Sequence, residues 1–238
     1  MHFFNKKHND DHTYPGTTVL INKQNIQSQD ALEKFERSTS QKRIAELQLN
    51  PIKGNFDAKH LADIHHYIFQ DIYEWAGKFR DINIMKGNSE FIAPKDIKPC
   101  LKIVTKKIKQ SRPFGKLSED QTIDLLTSTL SNINKIHPFR EGNGRTQRLF
   151  VEQLAYECGY DLDFSKVSEN EMRDASVAAD KKDFRLMRYM ISSNITKIND
   201  DTDFSDIRDP HKNIKDTDVP DISASPDKTD TIDMTDVK

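Results

Sequence analysis

The alternation of apolar and polar positions along the chain predicts a protein built mostly from amphipathic helices. The clearest pattern runs from Leu61 to Trp75, where apolar residues recur every three or four positions. Asp57 ahead of this run is a suitable N-cap, and Gly77 behind it is a suitable C-terminal glycine. The same spacing predicts further helices over residues 31–49 and 94–110.

The helical pattern continues through the second half of the chain. Residues 118–121, Ser-Glu-Asp-Gln, form a capping-box start for a helix that leads to His137. A further helix is expected from Arg145 to Glu157, and two more over residues 168–179 and 183–195. The predicted fold class is therefore all-α, a bundle of about seven or eight helices.

One β element interrupts the helical pattern, before the helix at residue 94. Residues 81–85 alternate apolar and polar side chains, residues 86–89 are typical of a turn, and residues 90–93 resemble a second strand. A lone hairpin is marginally stable in water, so we expect it to lie on the helices. Its outer edge offers a place for an extended segment of another protein, with a purely structural hairpin as the alternative.

Composition indicates a rather polar protein with a real core. The chain has 238 residues, of which 35% are hydrophobic and 31% charged, which suffices for one domain. No run approaches the ~18 apolar residues of a membrane span. Residues 1–14 lack the apolar segment of a Sec signal peptide. Cys100 and Cys158 form no disulfide framework or metal motif, and a reducing cytosol fits them best.

Charge divides the chain into a weakly basic body and an acidic end. Residues 199–238 contain twelve Asp and five Lys or Arg, a net charge of −7; the total of −2 leaves +5 for residues 1–198. The acidic segment indicates a disordered linker or tail, with an acidic interaction tail as the alternative. We therefore expect an N-terminal extension over residues 1–29, a folded domain over residues 30–198 and a tail. The basic run over residues 98–116 predicts a solvated helix face, with attraction of an acidic target as the alternative. Nucleic-acid binding is disfavoured because the run lacks interleaved aromatic residues.

The candidate chemistry is concentrated in the twelve residues from His137 to Arg148. Pro138 disfavours helix at the preceding residue, which places His137 on a loop where it can act as a general base near neutral pH. The glycine-rich turn over residues 142–144 can direct successive backbone N–H groups toward one point. Because this turn leads into a helix N-terminus, it predicts a site for an anion such as phosphate.

Two features of this segment are locally unfavourable. Arg145 and Arg148 lie near the start of the expected helix and oppose its dipole, at a cost of about 0.3 kcal/mol each. Glu141, beside an anion pocket, would repel phosphate. Both features are explained if the arginines hold a polyphosphate and Glu141 holds Mg²⁺ against it.

The segment resembles the signature of the Fic family, His-x-Phe-x-(Asp/Glu)-Gly-Asn-Gly-Arg-x-x-Arg, and fills every fixed position. The resemblance implies the Fic fold and a protein adenylyltransferase, which moves AMP from ATP to a hydroxyl of a target protein with the help of Mg²⁺. By the same resemblance, His137 would deprotonate the target hydroxyl, Phe139 would anchor the loop and Glu141 would bind Mg²⁺. The nucleotide would be held by Gly142, Asn143, Gly144, Arg145 and Arg148.

The resemblance extends to the predicted hairpin, because residues 73–77 followed by Arg80 are similar to the family sequence that leads into its flap. In Fic proteins the flap holds the target side chain over the catalytic histidine. The resemblance therefore implies that a target protein docks on the flap. Its residues here are Ile84, Met85, Lys86, Gly87, Asn88, Ser89, Glu90 and Phe91.

Over residues 30–195 the chain resembles the host-directed Fic effectors that Bartonella species export through a type IV secretion system. This implies a protein made in the bacterial cytoplasm and translocated into the host cytosol, with a host target such as a small GTPase. Two alternatives stay open at this point: transfer of another phosphate-containing group, such as UMP or phosphocholine, and a catalytically silent binding module. The intact His137 and Glu141 disfavour the silent module.

Many Fic proteins are inhibited by a helix of the pattern (Ser/Thr)-x-x-x-Glu-(Gly/Asn), whose glutamate pairs with the last arginine of the signature. Residues 165–170 match this pattern, but Ser168 as the cap of the next helix explains them better. The resemblance then implies a separate small antitoxin that presents the glutamate to Arg148. The isolated chain is expected to be active.

Overall fold

The computed structural model describes residues 12–86 and 89–198. Within these ranges the chain forms seven α-helices, which confirms the predicted all-α class. They are α1 (Gln29–Leu49), α2 (Ala58–Phe69), α3 (Pro94–Gln110), α4 (Glu119–Ile136), α5 (Asn143–Glu157), α6 (Glu169–Asp180) and α7 (Arg185–Ser193). The predicted acidic tail over residues 199–238 lies outside the described residues.

Four helices begin at a residue whose side chain accepts a hydrogen bond from the first helical turn. These N-caps are Ser28 for α1, Asp57 for α2, Ser118 for α4 and Ser168 for α6. At Ser118 and Ser168 the third helical residue also binds the backbone of the cap, which completes a capping box. These motifs involve only neighbours in sequence, so the starts of the helices were predictable.

The predicted end of α2 was wrong. The helix ends at Phe69, and residues 70–77 form a series of turns in which Gly77 has a φ of +81°. The apolar spacing continues beyond the helix because Ile72 and Tyr73, in these turns, are buried in the same core. A Cβ on Gly77 would lie 2.8 Å from the Cβ of His66, so this turn requires glycine.

A second small sheet was not predicted. Strand β3 (Tyr160–Leu162) pairs antiparallel with β4 (Ile195–Lys197), and α7 is correspondingly shorter than the helix predicted over residues 183–195. Strands of three residues are too short to show an alternating pattern. The prediction of a single β element was therefore incomplete.

The predicted hairpin is present but has shorter strands. Its strands are β1 (Met85–Lys86) and β2 (Ser89–Glu90), and the turn residues Gly87 and Asn88 lie outside the described residues. The carbonyls of Ile82 and Ile92 accept hydrogen bonds from the buried Arg80 side chain. These flanking residues therefore lie beside the hairpin and do not extend its ladder.

The core forms where α4 and α5 pack against each other, with α2 and α7 on their outer sides. Phe69, Phe139 and Phe150 are among its largest fully buried side chains. The basic run on α3 lies outside this core, since its lysines are exposed. None of the helices in the described part of the chain is long and apolar enough to cross a membrane.

Candidate active site

His137 is the C-cap of α4, and its backbone is left-handed, with φ 48° and ψ 63°. Histidine is one of the few residues that adopt this conformation readily. Its Nδ1 lies 3.2 Å from the carbonyl oxygen of Asn134. A carbonyl can only accept, so Nδ1 carries the proton and Nε2 carries the lone pair of the neutral ring. The Phe91 ring stacks on the imidazole at 3.8 Å and 15°.

The loop after His137 is closed by a side-chain amide. Oδ1 of Asn143 accepts a hydrogen bond from the Phe139 N–H at 2.9 Å, and its Nδ2 donates to the Phe139 carbonyl at 2.8 Å. Both residues are buried. Asn143 was predicted to bind the nucleotide, and in the structure its side chain is directed into the loop. Its backbone N–H lies in the first turn of α5.

His65 supports the same loop from α2, a role that the sequence did not indicate. Its Nδ1 accepts a hydrogen bond from the Gly77 N–H at 2.8 Å, and its Nε2 binds the carbonyl oxygen of Glu141 at 3.0 Å. The ring also stacks on Phe139 at 3.8 Å. Burial lowers the pKa of His65 to about 3, so it is neutral near pH 7 and its tautomer is fixed by these two bonds.

Gly142 makes the turn into α5, with a φ of +78°. A Cβ at this position would lie 2.2 Å from Cζ of Phe69. The Gly142 carbonyl accepts a hydrogen bond from the Thr146 hydroxyl at 3.0 Å, and α5 has no side-chain cap among the described residues. The first-turn N–H groups of a helix without a cap are suited to bind an anion.

The two signature arginines have different environments. Arg145 is directed toward α1, where its Nη2 lies 2.5 Å from the Glu36 carboxylate and its Nη1 donates to the Ser40 hydroxyl at 2.9 Å. Its guanidinium also lies over the Phe69 ring, 4.7 Å from the centroid. The Tyr73 hydroxyl donates to Glu36 as well. Burial, followed by the charge of Glu36, raises the pKa of Tyr73.

Arg148 has no hydrogen-bond or ion-pair partner within residues 12–86 and 89–198. One of its guanidinium nitrogens would lie 3.4 Å from a Cβ built on Gly144, so the side chain extends back toward the start of α5. Burial lowers the pKa of Arg148, and nearby carboxylates partly offset that effect. Of the two arginines predicted to hold phosphate, Arg148 is therefore the one that forms no ion pair within these ranges.

Glu141 lies between the loop and Arg145. Its Oε1 accepts a hydrogen bond from the Gly142 N–H at 2.8 Å and lies 3.7 Å from Nη2 of Arg145. The described residues contain no cluster of three or more His, Cys, Asp or Glu side chains that could hold a metal ion. A single carboxylate fits Mg²⁺, which proteins usually bind through one or two carboxylates together with substrate phosphates.

The described part of the predicted flap lies against His137. Ile84 is buried and Met85 is 47% exposed. The Glu90 carbonyl accepts a hydrogen bond from the Lys135 ammonium at 3.1 Å. The stack of Phe91 on His137 therefore joins the flap to the catalytic loop.

Comparison with known proteins finds similar chains over this region. Residues 55–155 match the Fic/DOC family. The chain is 36% identical over 189 residues to the protein adenylyltransferase VbhT of Bartonella schoenbuchensis, an alignment that covers 79% of this chain and 40% of that protein. It is also 36% identical over 165 residues to a probable protein adenylyltransferase, y4lH, of Sinorhizobium fredii, covering 69% of this chain and 84% of that protein.

A solved structure shows the same fold. The crystal structure of BepC, a VirB-translocated Bartonella effector from Bartonella tribocorum with bound AMPPNP, superposes with a TM-score of 0.75 at 27% identity. The match covers 79% of this chain and 98% of the crystallised one. The chain spans less than half the length of VbhT.

Replacement of Gly142 by alanine is expected to destabilise the protein. The new Cβ would collide with the Phe69 ring and the left-handed φ would be strained, so we expect a loss of about 3 kcal/mol in the free energy of unfolding. Urea denaturation measures this loss. The control is Gly115→Ala, where a Cβ would have no neighbour within 4 Å. Similar losses for both variants would contradict this account of the turn.

The exchange Glu36→Gln is expected to weaken the contact between α1 and α5. The amide keeps the shape but removes the charge that Arg145 and the Tyr73 hydroxyl share, so stability should fall by about 1–3 kcal/mol. The control is Glu33→Gln on the exposed face of α1. A double variant with Arg145→Gln should show that the two losses are not additive. Additive losses would mean that the pair does not interact in solution.

Proposed function

The chain belongs to the Fic/DOC family, and from this premise we propose that it is a protein adenylyltransferase. The observation that carries the proposal is the joint placement of two groups. The lone pair on Nε2 of His137 lies at one end of a short loop, and the uncapped start of α5 lies at the other. A base beside an anion site is the arrangement that transfer of a nucleotide phosphate to a hydroxyl requires.

The reaction follows from this arrangement. A target hydroxyl gives its proton to Nε2 of His137 while its oxygen forms a bond to the α-phosphorus of ATP. The bond between that phosphorus and the oxygen bridging to the β-phosphate breaks, and pyrophosphate leaves. The product is an AMP ester of the target residue.

The nucleotide would be held by the start of α5. The backbone N–H groups of Asn143 and Gly144 would face the α-phosphate region, and Arg148 would extend toward the outer phosphates. Gly142 would contribute through the left-handed turn that starts α5, because its own N–H donates to Glu141. Glu141 would hold Mg²⁺, which neutralises phosphate charge when it is bound. Arg145 would act from a distance, because its contacts to Glu36 and Ser40 keep it on the α1 side. The bound AMPPNP in the crystal structure of BepC supports nucleotide binding at this fold.

The flap would hold the target. An extended target segment would pair with the hairpin edge and place its hydroxyl over His137, with Phe91 as one wall. Lys86, Asn88 and Glu90 would then determine which target is accepted. We further propose a host protein as the target, with a switch hydroxyl of a small GTPase as the first candidate. The similarity to translocated Bartonella effectors supports transfer from the bacterial cytoplasm into a host cell.

Inhibition would come from a separate antitoxin. The family pattern at residues 165–170 does not lie on one helix in this chain, since α6 begins at Glu169 and the Ser165 hydroxyl donates to Asp163. Glu169 is exposed and forms no ion pair with Arg148, although its charge acts on it at a distance. A small partner would present a glutamate to Arg148 in place of a phosphate.

Incubation with a host-cell lysate, Mg²⁺ and labelled ATP tests the proposed reaction. Label from the α-phosphate should enter a protein, and label from the γ-phosphate should not. The variant His137→Asn should transfer label about 10²–10⁴-fold more slowly, since asparagine tolerates the left-handed backbone but cannot accept the proton. Chelation of Mg²⁺ should also stop the transfer.

The matched control is His66→Asn, which changes a histidine on the exposed face of α2. It should transfer label as the unmodified chain does. Transfer of label only from the γ-phosphate would indicate a kinase, and full transfer by His137→Asn would remove this residue as the base.

The isolated chain is expected to label itself or a target without any activating change. The variant Glu169→Gln should show the same labelling rate in this assay, because Glu169 does not occupy the phosphate position beside Arg148. A silent chain that becomes active with Glu169→Gln would show that inhibition is intramolecular.

A further inference from the structure

Arg80 is a buried cation that binds only backbone oxygens. Its residue is 4% exposed. Nε donates to the His137 carbonyl at 2.8 Å, Nη1 to the Ile82 carbonyl at 2.7 Å, and Nη2 to the carbonyls of Ile92 at 2.5 Å and Ile136 at 3.2 Å. None of the acidic side chains in the described ranges forms an ion pair with it. Burial lowers the pKa of Arg80 to about 10, which still leaves the guanidinium charged near pH 7.

The carbonyls that Arg80 binds belong to two different parts of the site. Those of Ile136 and His137 are at the end of α4, where helix carbonyls have no partner within the helix and a cation is favoured by the dipole. Those of Ile82 and Ile92 lie on opposite sides of the hairpin, one before β1 and one after β2. The Arg80 side chain therefore connects both stems of the flap to the backbone of His137.

Besides Arg80, the hairpin is held by the Phe91 ring, which stacks on His137, and by the buried Ile84 side chain. Its two strands have two residues each, and a hairpin of this size is not stable by itself. The stem after β2 has further contacts with α4, since the Ile92 N–H donates to the Lys135 carbonyl at 3.4 Å and the Lys135 ammonium binds the Glu90 carbonyl. The stem before β1 is connected to the end of α4 through Arg80, which donates to the Ile82 carbonyl.

The backbone of Arg80 adds a further bond to the catalytic loop, because its N–H donates to the Pro138 carbonyl at 2.9 Å. Side chain and main chain of one residue thus hold three consecutive carbonyls, from Ile136 to Pro138. The left-handed backbone of His137 lies in the middle of this run. Its orientation and that of the flap are consequently set by the same group.

We propose that Arg80 is a positioning residue that fixes the flap relative to His137, and that it is required for transfer to a protein hydroxyl but not for nucleotide binding. The inference rests on the proposed function. Its physical basis is that the target is held by the flap, whereas the nucleotide is held by the start of α5. No bond of Arg80 reaches residues 142–148 among the described contacts.

Lysine should not replace this arginine. Four carbonyls in different directions match the planar fork of a guanidinium, whereas an ammonium has three donors on a single atom. The variant Arg80→Lys keeps the charge and much of the length, so it separates the geometry of the fork from its charge. The matched control is Arg185→Lys on α7, where the side chain is 90% exposed.

The test compares target labelling with nucleotide affinity in the same preparations. Arg80→Lys should label the target about a hundredfold more slowly, the scale on which misplacement of reacting groups by an ångström acts. Its affinity for a non-hydrolysable ATP analogue, measured by calorimetry, should be unchanged. In Arg80→Ala, millimolar guanidinium chloride should restore part of the labelling, and methylammonium chloride should not. Equal losses of labelling and affinity, or full labelling by Arg80→Lys, would overturn the inference.

Hydrogen exchange gives a second readout that does not depend on activity. In Arg80→Lys the backbone amides of residues 84–86 and 89–92 and those of Ile136 and His137 should exchange faster, while those of residues 143–150 should keep their protection. Unchanged exchange in the flap would overturn the inference even if labelling falls. If the unmodified chain labels no target, the proposed function is rejected. Faster exchange of the flap amides in Arg80→Lys would still support the positioning role, so the two failures can be distinguished.

Discussion

The catalytic loop depends on where its carbonyl groups point. Six carbonyl oxygens between Ile136 and Gly142 accept hydrogen bonds from inside the protein. The donors are the Arg80 side chain and backbone, the Asn143 amide, the His65 ring, and the hydroxyl and backbone of Thr146. The N–H groups of His137, Phe139 and Gly142 are bonded within the protein as well, so the N–H groups that remain suited to an anion are those in the first turn of α5. The buried polar groups around the loop thus determine its chemistry as much as the signature does.

This arrangement explains why parts of the site could be predicted from the sequence and others could not. The capping serines and the twelve-residue signature are local patterns, so Ser118 and His137 were identified directly. Glu36 and His65 were not, because their partners lie far along the chain: Glu36 binds Arg145, 109 residues away, and His65 binds the Glu141 carbonyl, 76 residues away. Nothing next to either residue in the sequence marks it as part of the site.

The same distinction accounts for the errors in the elements. The spacing of apolar residues continues past Phe69 and predicted a longer α2. The prediction failed because a turn can bury Ile72 as well as a helix can. The strands of the hairpin were predicted too long because alternation in the sequence does not reveal that the Ile82 carbonyl is bound by an arginine. Burial is visible in a sequence, whereas the partner of a backbone group is not. The hairpin prediction therefore failed at the point where the Arg80 side chain binds the backbone of its stems.

The unfavourable charges at the start of α5 are resolved differently for each arginine. Arg145 is compensated within the protein, since Glu36 and Glu141 lie 2.5 Å and 3.7 Å from its guanidinium. Arg148 has no such partner among the described residues, and burial lowers its pKa. A partly buried cation at the positive end of a helix is a cost that only an incoming anion removes. The signature thus contains one arginine that is paired with α1 and one that forms no ion pair among the described residues, a difference that a pattern of two identical residues cannot show.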